Sequence, residues 1–113
     1  MPELISHQRP RARKAHQCMM CARRIDPGEI YMRQFGRDGG DVWTWKECLH
    51  CTAATKILGL WQLRDGYEEG IGPIDFEEYE PDTAEQFRLI AGWRAQWRHE
   101  DGSRWDVPEV SSD

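Results

Sequence analysis

Apolar positions change their period along the chain, and the changes mark out its elements. Glu29-Ile30-Tyr31-Met32-Arg33-Gln34-Phe35 and Val42-Trp43-Thr44-Trp45 are rich in strand formers and predict two strands. Between them Gly36-Arg37-Asp38-Gly39-Gly40-Asp41 carries three glycines and two aspartates, the composition of a hairpin loop. Upstream, Ile25-Asp26-Pro27-Gly28 reads as a turn, because proline presets φ and glycine accepts positive φ. From Cys48 the spacing becomes helical. Ala54, Ile57, Leu58 and Trp61 predict an amphipathic helix of about four turns ending near Asp65-Gly66.

A second helix is predicted over residues 83–99. Thr83 and Gln86 have the spacing of a capping box, and Phe87, Ile90, Trp93 and Trp97 form one apolar stripe. Gly92 weakens that helix without ending it, and Asp101-Gly102 stops it. No element is assigned to the acidic, glycine- and proline-rich stretch 66–81, nor to residues 1–15, where Pro2 and Pro10 interrupt a polar arm. The expected organisation is therefore a basic arm (1–15), a structured module (16–66), and an acidic linker with one helix and a tail (67–113).

The module needs help to fold. The chain has 113 residues, of which 39% are hydrophobic and 31% charged, so apolar material is scarce and a staple would be valuable. No uncharged run is long and apolar enough to span a bilayer, and no apolar stretch follows the basic residues of the N-terminus, so neither a membrane span nor a secretory signal is expected. The expected location is the cytoplasm, where thiols stay reduced and four cysteines suit a metal better than disulfides.

Their spacing agrees. Cys18-Met-Met-Cys21 and Cys48-Leu-His-Cys51 are two C-x2-C pairs flanking the hairpin. Such pairs aim four thiolates at one tetrahedral ion and leave no open coordination position, which makes the expected site a structural zinc site. Four thiolates also ligate iron–sulfur clusters, and spacing alone leaves that alternative standing. The second pair is expected in the first turn of the helix, with both sulfurs on one face.

The order knuckle, hairpin, helix resembles the treble-clef class of zinc fingers, an α+β fold. The run KAHQCMMCARRIDPGEIYMRQFGRDGGDVWTWKECLHC also resembles small uncharacterised zinc-finger proteins of tailed bacteriophages and actinobacteria. The resemblance covers roughly residues 11–66 and implies zinc binding, with no further function attached. HNH-type nucleases share the treble clef, but they need a catalytic histidine on the hairpin and a further His or Asn from the helix. This hairpin carries Val42-Trp43-Thr44-Trp45, and the helix after Cys51 has neither residue, so no cleavage activity is expected. His16 and His50 read as neighbours of the ligands.

Charge divides the chain. Residues 1–33 carry seven bases against three acids, and residues 67–113 carry four bases against thirteen acids, within an overall net charge of −5. The expected function is non-enzymatic: a zinc-stapled adaptor, phage-encoded on the resemblance, acting on a macromolecular partner. A protein is the expected partner, and no membrane or small-molecule substrate is expected. Trp97 and Trp105 beside Arg94 and Arg98 are the candidate partner surface, since aromatic residues and arginine dominate interface hot spots. Trp43, Trp45 and Trp61 are expected in a small core around the metal. The alternative function is nucleic-acid binding through Arg9, Arg11, Arg13, Lys14, Arg23, Arg24 and Arg33. The second helix is expected to dock on the module and make one core from two halves.

Overall fold

Two glycines close the hairpin around which the molecule is built. A computed structural model of the chain describes residues 3–60 and 72–110. Strand β4 (Tyr31–Asp38) turns into β5 (Asp41–Cys48) through Gly39 and Gly40, at φ 61° and 104°. A two-residue hairpin turn with positive φ at both positions matches the twist of its strands, and glycine adopts it without a Cβ penalty. The loop is thus two residues long, not the six expected. The strands run on to Asp38 and Asp41, in unbroken register from Tyr31↔Cys48 to Asp38↔Asp41.

Strand β1 (Glu3–Gln8) pairs antiparallel with β4, giving a three-stranded sheet of order β1-β4-β5. This corrects the reading of residues 1–15 as an arm. Edge pairing draws on backbone N–H and C=O groups, so it needs no apolar period in the added strand. Farther along, Ala12 is buried and its amide donates to the Glu29 carbonyl at 2.8 Å, while Arg11 bridges to Ile30. A two-stranded ribbon of β2 (His16–Gln17) and β3 (Arg24–Ile25) brackets the first cysteine pair.

Helix α1 (Leu49–Leu58) starts where β5 ends, and Gly59 closes it in the left-handed conformation at φ 66°. The Thr52 hydroxyl donates to Glu47 Oε2 at 2.6 Å and ties the helix to the strand. Trp61 and the expected helix end near residue 66 lie outside the described residues. Among the described residues no helix is long and apolar enough to cross a membrane.

The C-terminal part departs from expectation in two places. Pro73–Glu77 forms a short helix, α2, inside the stretch to which no element was assigned. Phe76 is its anchor: it is fully buried and stacks on Trp93 with ring centroids 5.2 Å apart. Helix α3 (Ala84–Arg94) begins with the expected reciprocal bonds between Thr83 and Gln86, both 3.1 Å, but it ends before residue 99. Gln96 and Trp97 both have φ of 56°. The buried side of α3 is Leu89, Ile90 and Trp93, whereas Phe87 is 59% exposed. At 100° per residue Phe87 lies about 120° round the helix from Trp93, so the tryptophan's side faces the core and the phenylalanine's does not.

One apolar cluster joins both halves. It runs from Met20 and Ile25 through Tyr31, Ala54 and Leu58 to Phe76, Leu89, Ile90, Trp93 and Trp97. Trp45 packs against it half-buried, with its indole N–H donating to Glu47 Oε1 at 2.9 Å. Each large apolar side chain taken from water in this way contributes roughly 1.5–3 kcal/mol.

Candidate metal centre

All four cysteines are reduced and buried, with Cys48 and Cys51 fully enclosed. Their sulfurs lie within 4.8 Å of one another, with Cys18 to Cys51 at 3.8 Å and Cys21 to Cys48 at 3.9 Å. A tetrahedral zinc ion about 2.3 Å from four sulfurs sets them about 3.8 Å apart, so the cage has the dimensions of a single ion. A multi-iron cluster would hold its cysteines farther apart. The donor set is all thiolate, soft and closed, and it fits Zn2+.

Backbone geometry builds each corner. In the knuckle the Ala22 amide returns to the Cys18 carbonyl at 2.9 Å, and the Cys18 amide donates to the Arg23 carbonyl at 2.8 Å. Ala22 closes this turn at φ 66°, a left-handed position that costs a non-glycine residue on the order of 1 kcal/mol. The amides of Met20, Cys21 and Cys48 point at Cys18 Sγ from 3.4, 3.5 and 3.3 Å. The second pair does not lie wholly in the first helical turn. Cys48 is extended, at φ −69° and ψ 152°, and caps the helix, with Cys51 third inside it. The strand-to-helix bend, and not a shared helix face, aims both sulfurs inward.

Donors around the sulfurs favour thiolate. Hydrogen bonds from Cys21, Cys48 and Cys51 hold Cys18 far below the usual thiol range, whereas burial together with the other three sulfurs pushes Cys51 up. A dication bound among the four sulfurs would allow all four thiols to ionise.

Tertiary structure adds two neighbours that the spacing of the cysteines did not indicate. Trp97 is fully buried, and its indole N–H donates to Cys51 Sγ at 3.2 Å. Arg23 is 2% exposed. It forms a buried ion pair with Glu29, and Arg104 donates to the same carboxylate at 2.8 Å. Burial opposes the charge of Arg23, but Glu29 and the Cys48 sulfur raise its pKa above the ordinary arginine value. A cation beside a four-thiolate zinc site offsets part of its double negative charge. The indole could have been suspected from the number of tryptophans, but not its target, which is forty-six residues away.

Several site assignments change as a result. Arg23 is enclosed and cannot contact nucleic acid. Trp97 is not part of a partner surface, and Trp105 is half-buried, edge-on to Trp97 at 5.5 Å and capped by Arg88 5.0 Å above its ring. Arg98 donates to Asp26 at 3.2 Å, so it ties the C-terminal half to the turn before β4. Arg94 is exposed at the end of α3. Among the other bases, Arg11 donates to the Gly28 carbonyl at 2.7 Å and Arg24 lies 3.8 Å from Asp26. Arg9, Arg13, Lys14 and Arg33 are exposed.

His50 is buried, with Nε2 on the Trp105 carbonyl and its ring stacked on Trp97 at 5.8 Å. His16 is half-buried and tilted over Tyr31, 5.0 Å between centroids. Gly92 proves to be a packing residue. A Cβ there would lie 2.5 Å from Cζ3 of Trp97 and 2.9 Å from Cη2 of Trp105.

Comparison with models of known protein families, with curated proteins and with solved structures finds no match.

Proposed function

We propose that the chain is a non-catalytic zinc module of treble-clef type in which Cys18, Cys21, Cys48 and Cys51 hold one Zn2+, and that it works as an adaptor for a macromolecular partner. The observation that carries the reading is the buried cage of four sulfurs within 4.8 Å. A cage of four protein thiolates leaves a zinc ion no position for water or substrate, so the ion cross-links and does not react. Bound there, the metal would tie the knuckle, the β5–α1 junction and, through the Trp97 indole on Cys51, the C-terminal half into one body. The order of knuckle, hairpin and helix supports the treble-clef assignment. The sequence resemblance to phage and actinobacterial zinc-finger proteins supports zinc binding and a phage origin.

Elemental analysis of the purified full chain is the test. One zinc per chain is expected. No bound zinc, or iron with its visible absorption, would overturn the reading.

A further inference from the structure

The sheet carries a basic cleft that the metal centre does not use. Strand alternation puts Arg33 of β4 on the same face as Lys46 of β5, directly opposite it in the ladder. Two like charges in that position destabilise a sheet, so the pair works against the fold. The knuckle closes the end of this face. The Met19 amide donates to the Lys46 carbonyl at 2.8 Å, and β2 brings His16 Nδ1 to 3.2 Å from Lys46 Nζ. The Tyr31 hydroxyl lies 3.5 Å from the other ring nitrogen. Together with Gln17 and Thr44 these residues line an open cleft of about 590 Å³.

Among the described residues the lining contains two basic side chains, a histidine, a phenol, a hydroxyl and an amide, and no carboxylate. Nearby acids are engaged elsewhere: Asp26 and Glu29 are held by Arg98, Arg23 and Arg104. A local positive field in a chain of net charge −5 is selective for an anion that can enter the cleft. Mixed cationic and neutral donors suit phosphate and sugar oxygens.

We infer that this cleft binds the phosphodiester backbone of a nucleic acid, with Arg33 and Lys46 on phosphate oxygens and Thr44 and Gln17 as neutral donors. The inference rests on the zinc reading. Cys18 follows His16 by two residues and Cys48 follows Lys46 by two, so the metal cage anchors both walls of the cleft. It also moves the nucleic-acid contact away from Arg23 and Arg24 to a surface that includes Lys46, which the sequence did not single out. Binding of this kind is sequence-blind and sensitive to salt.

The test uses the zinc-loaded full chain and fluorescence anisotropy with labelled single-stranded DNA, single-stranded RNA and duplex DNA of mixed sequence. Binding to at least one of them is expected at about 50 mM salt, weakening about tenfold or more at about 200 mM. Arg33→Gln combined with Lys46→Gln should weaken it by about tenfold and flatten the salt slope by about two. Arg94→Gln, which removes an exposed base on α3, should leave it unchanged. Zinc content is measured on every sample. If the double variant loses its metal, Arg33→Gln alone serves, since that side chain is exposed.

A zinc-loaded chain that binds none of the three probes would overturn the inference and leave the zinc reading intact. Equal affinity of the double variant, or an equal loss in Arg94→Gln, would also overturn it. So would displacement of the nucleic acid by polyglutamate at equal charge, which would point to an acidic protein as the ligand. A chain that holds no zinc would overturn the underlying reading first, and the metal analysis shows that separately.

Discussion

Residues 16–60 and residues 72–110 enter the same core by different routes. In the first region each ligand is placed by short-range geometry: a left-handed Ala22, a two-glycine turn, and a cysteine that caps a helix. In the second, order comes from what the segment touches. Helix α2 is five residues long and α3 eleven, too short to be stable alone in water. Phe76, Leu89, Trp93 and Trp97 hold them against the metal-side half, aided by Trp93 Nε1 on the Met20 carbonyl at 3.0 Å and Gln96 Nε2 on the Cys21 carbonyl at 3.2 Å. The first region is built around a chemical centre, and the second is a cover that becomes ordered by closing over it. Two of its polar anchors land on the knuckle backbone and a third on a ligand sulfur, so the cover reports on the centre.

The strongest way to break this comparison is to remove the metal. Cys48→Ser, or chelation of the wild type, should cost on the order of 10 kcal/mol and unfold both regions together. Amide exchange should show α3 losing protection along with the knuckle. If α3 stayed protected while the cysteine region opened, the two regions would be independent.

Next comes the link itself. Trp97→Ala should destabilise the chain by about 3–5 kcal/mol in denaturant titrations. Trp97→Phe keeps most of the packing but deletes the bond to Cys51. It should lower zinc affinity by about tenfold or more in a chelator competition, the scale seen when a ligand's hydrogen-bond partner is lost. Unchanged affinity would make Trp97 a packing residue alone.

The ion network sharpens the comparison further. Glu29→Gln strands Arg23 in the core and should cost about 3 kcal/mol at neutral pH. Burial alone would raise the Glu29 pKa, but Arg23, the Asp26 amide and Arg104 bring it below the ordinary glutamate value of 4.5. An acid with a lowered folded pKa stabilises fully above its unfolded value and loses that contribution as pH falls through the folded one. The gap between wild type and Glu29→Gln should therefore narrow below pH 4.5. A gap that stayed constant into that range would mean the carboxylate is not the stabilising form.

The smallest effect tests the fit of the cover. Helix propensity says that Gly92→Ala should stabilise α3 by about 1 kcal/mol. The crowding against Trp97 and Trp105 says otherwise, and a net loss of about 1–2 kcal/mol is expected from thermal unfolding. A gain would show that the cover sits looser than this.

Much of the metal centre was legible in the chain because its information is local. Two C-x2-C spacings, the glycines of one turn and the Thr83–Gln86 box each specify a backbone shape within a few residues, and each is found in the folded chain. The partners of those shapes were not legible. Nothing near Trp97 in sequence says that its N–H meets Cys51, nothing near Arg23 says that its charge is enclosed beside Cys48, and the helical period put Phe87 in the apolar stripe and left out Leu89, which is the buried one. Edge strand β1 was missed for a related reason: its pairing uses backbone groups that every residue carries. The sequence by itself determined the four clustered cysteines, the hairpin and the cap of the last helix. Tertiary structure alone decided which side of that helix faces inward, which bases are buried and which line the cleft. Those outcomes depend on contacts between residues far apart in the chain, whose energies add up only once the chain has closed on itself.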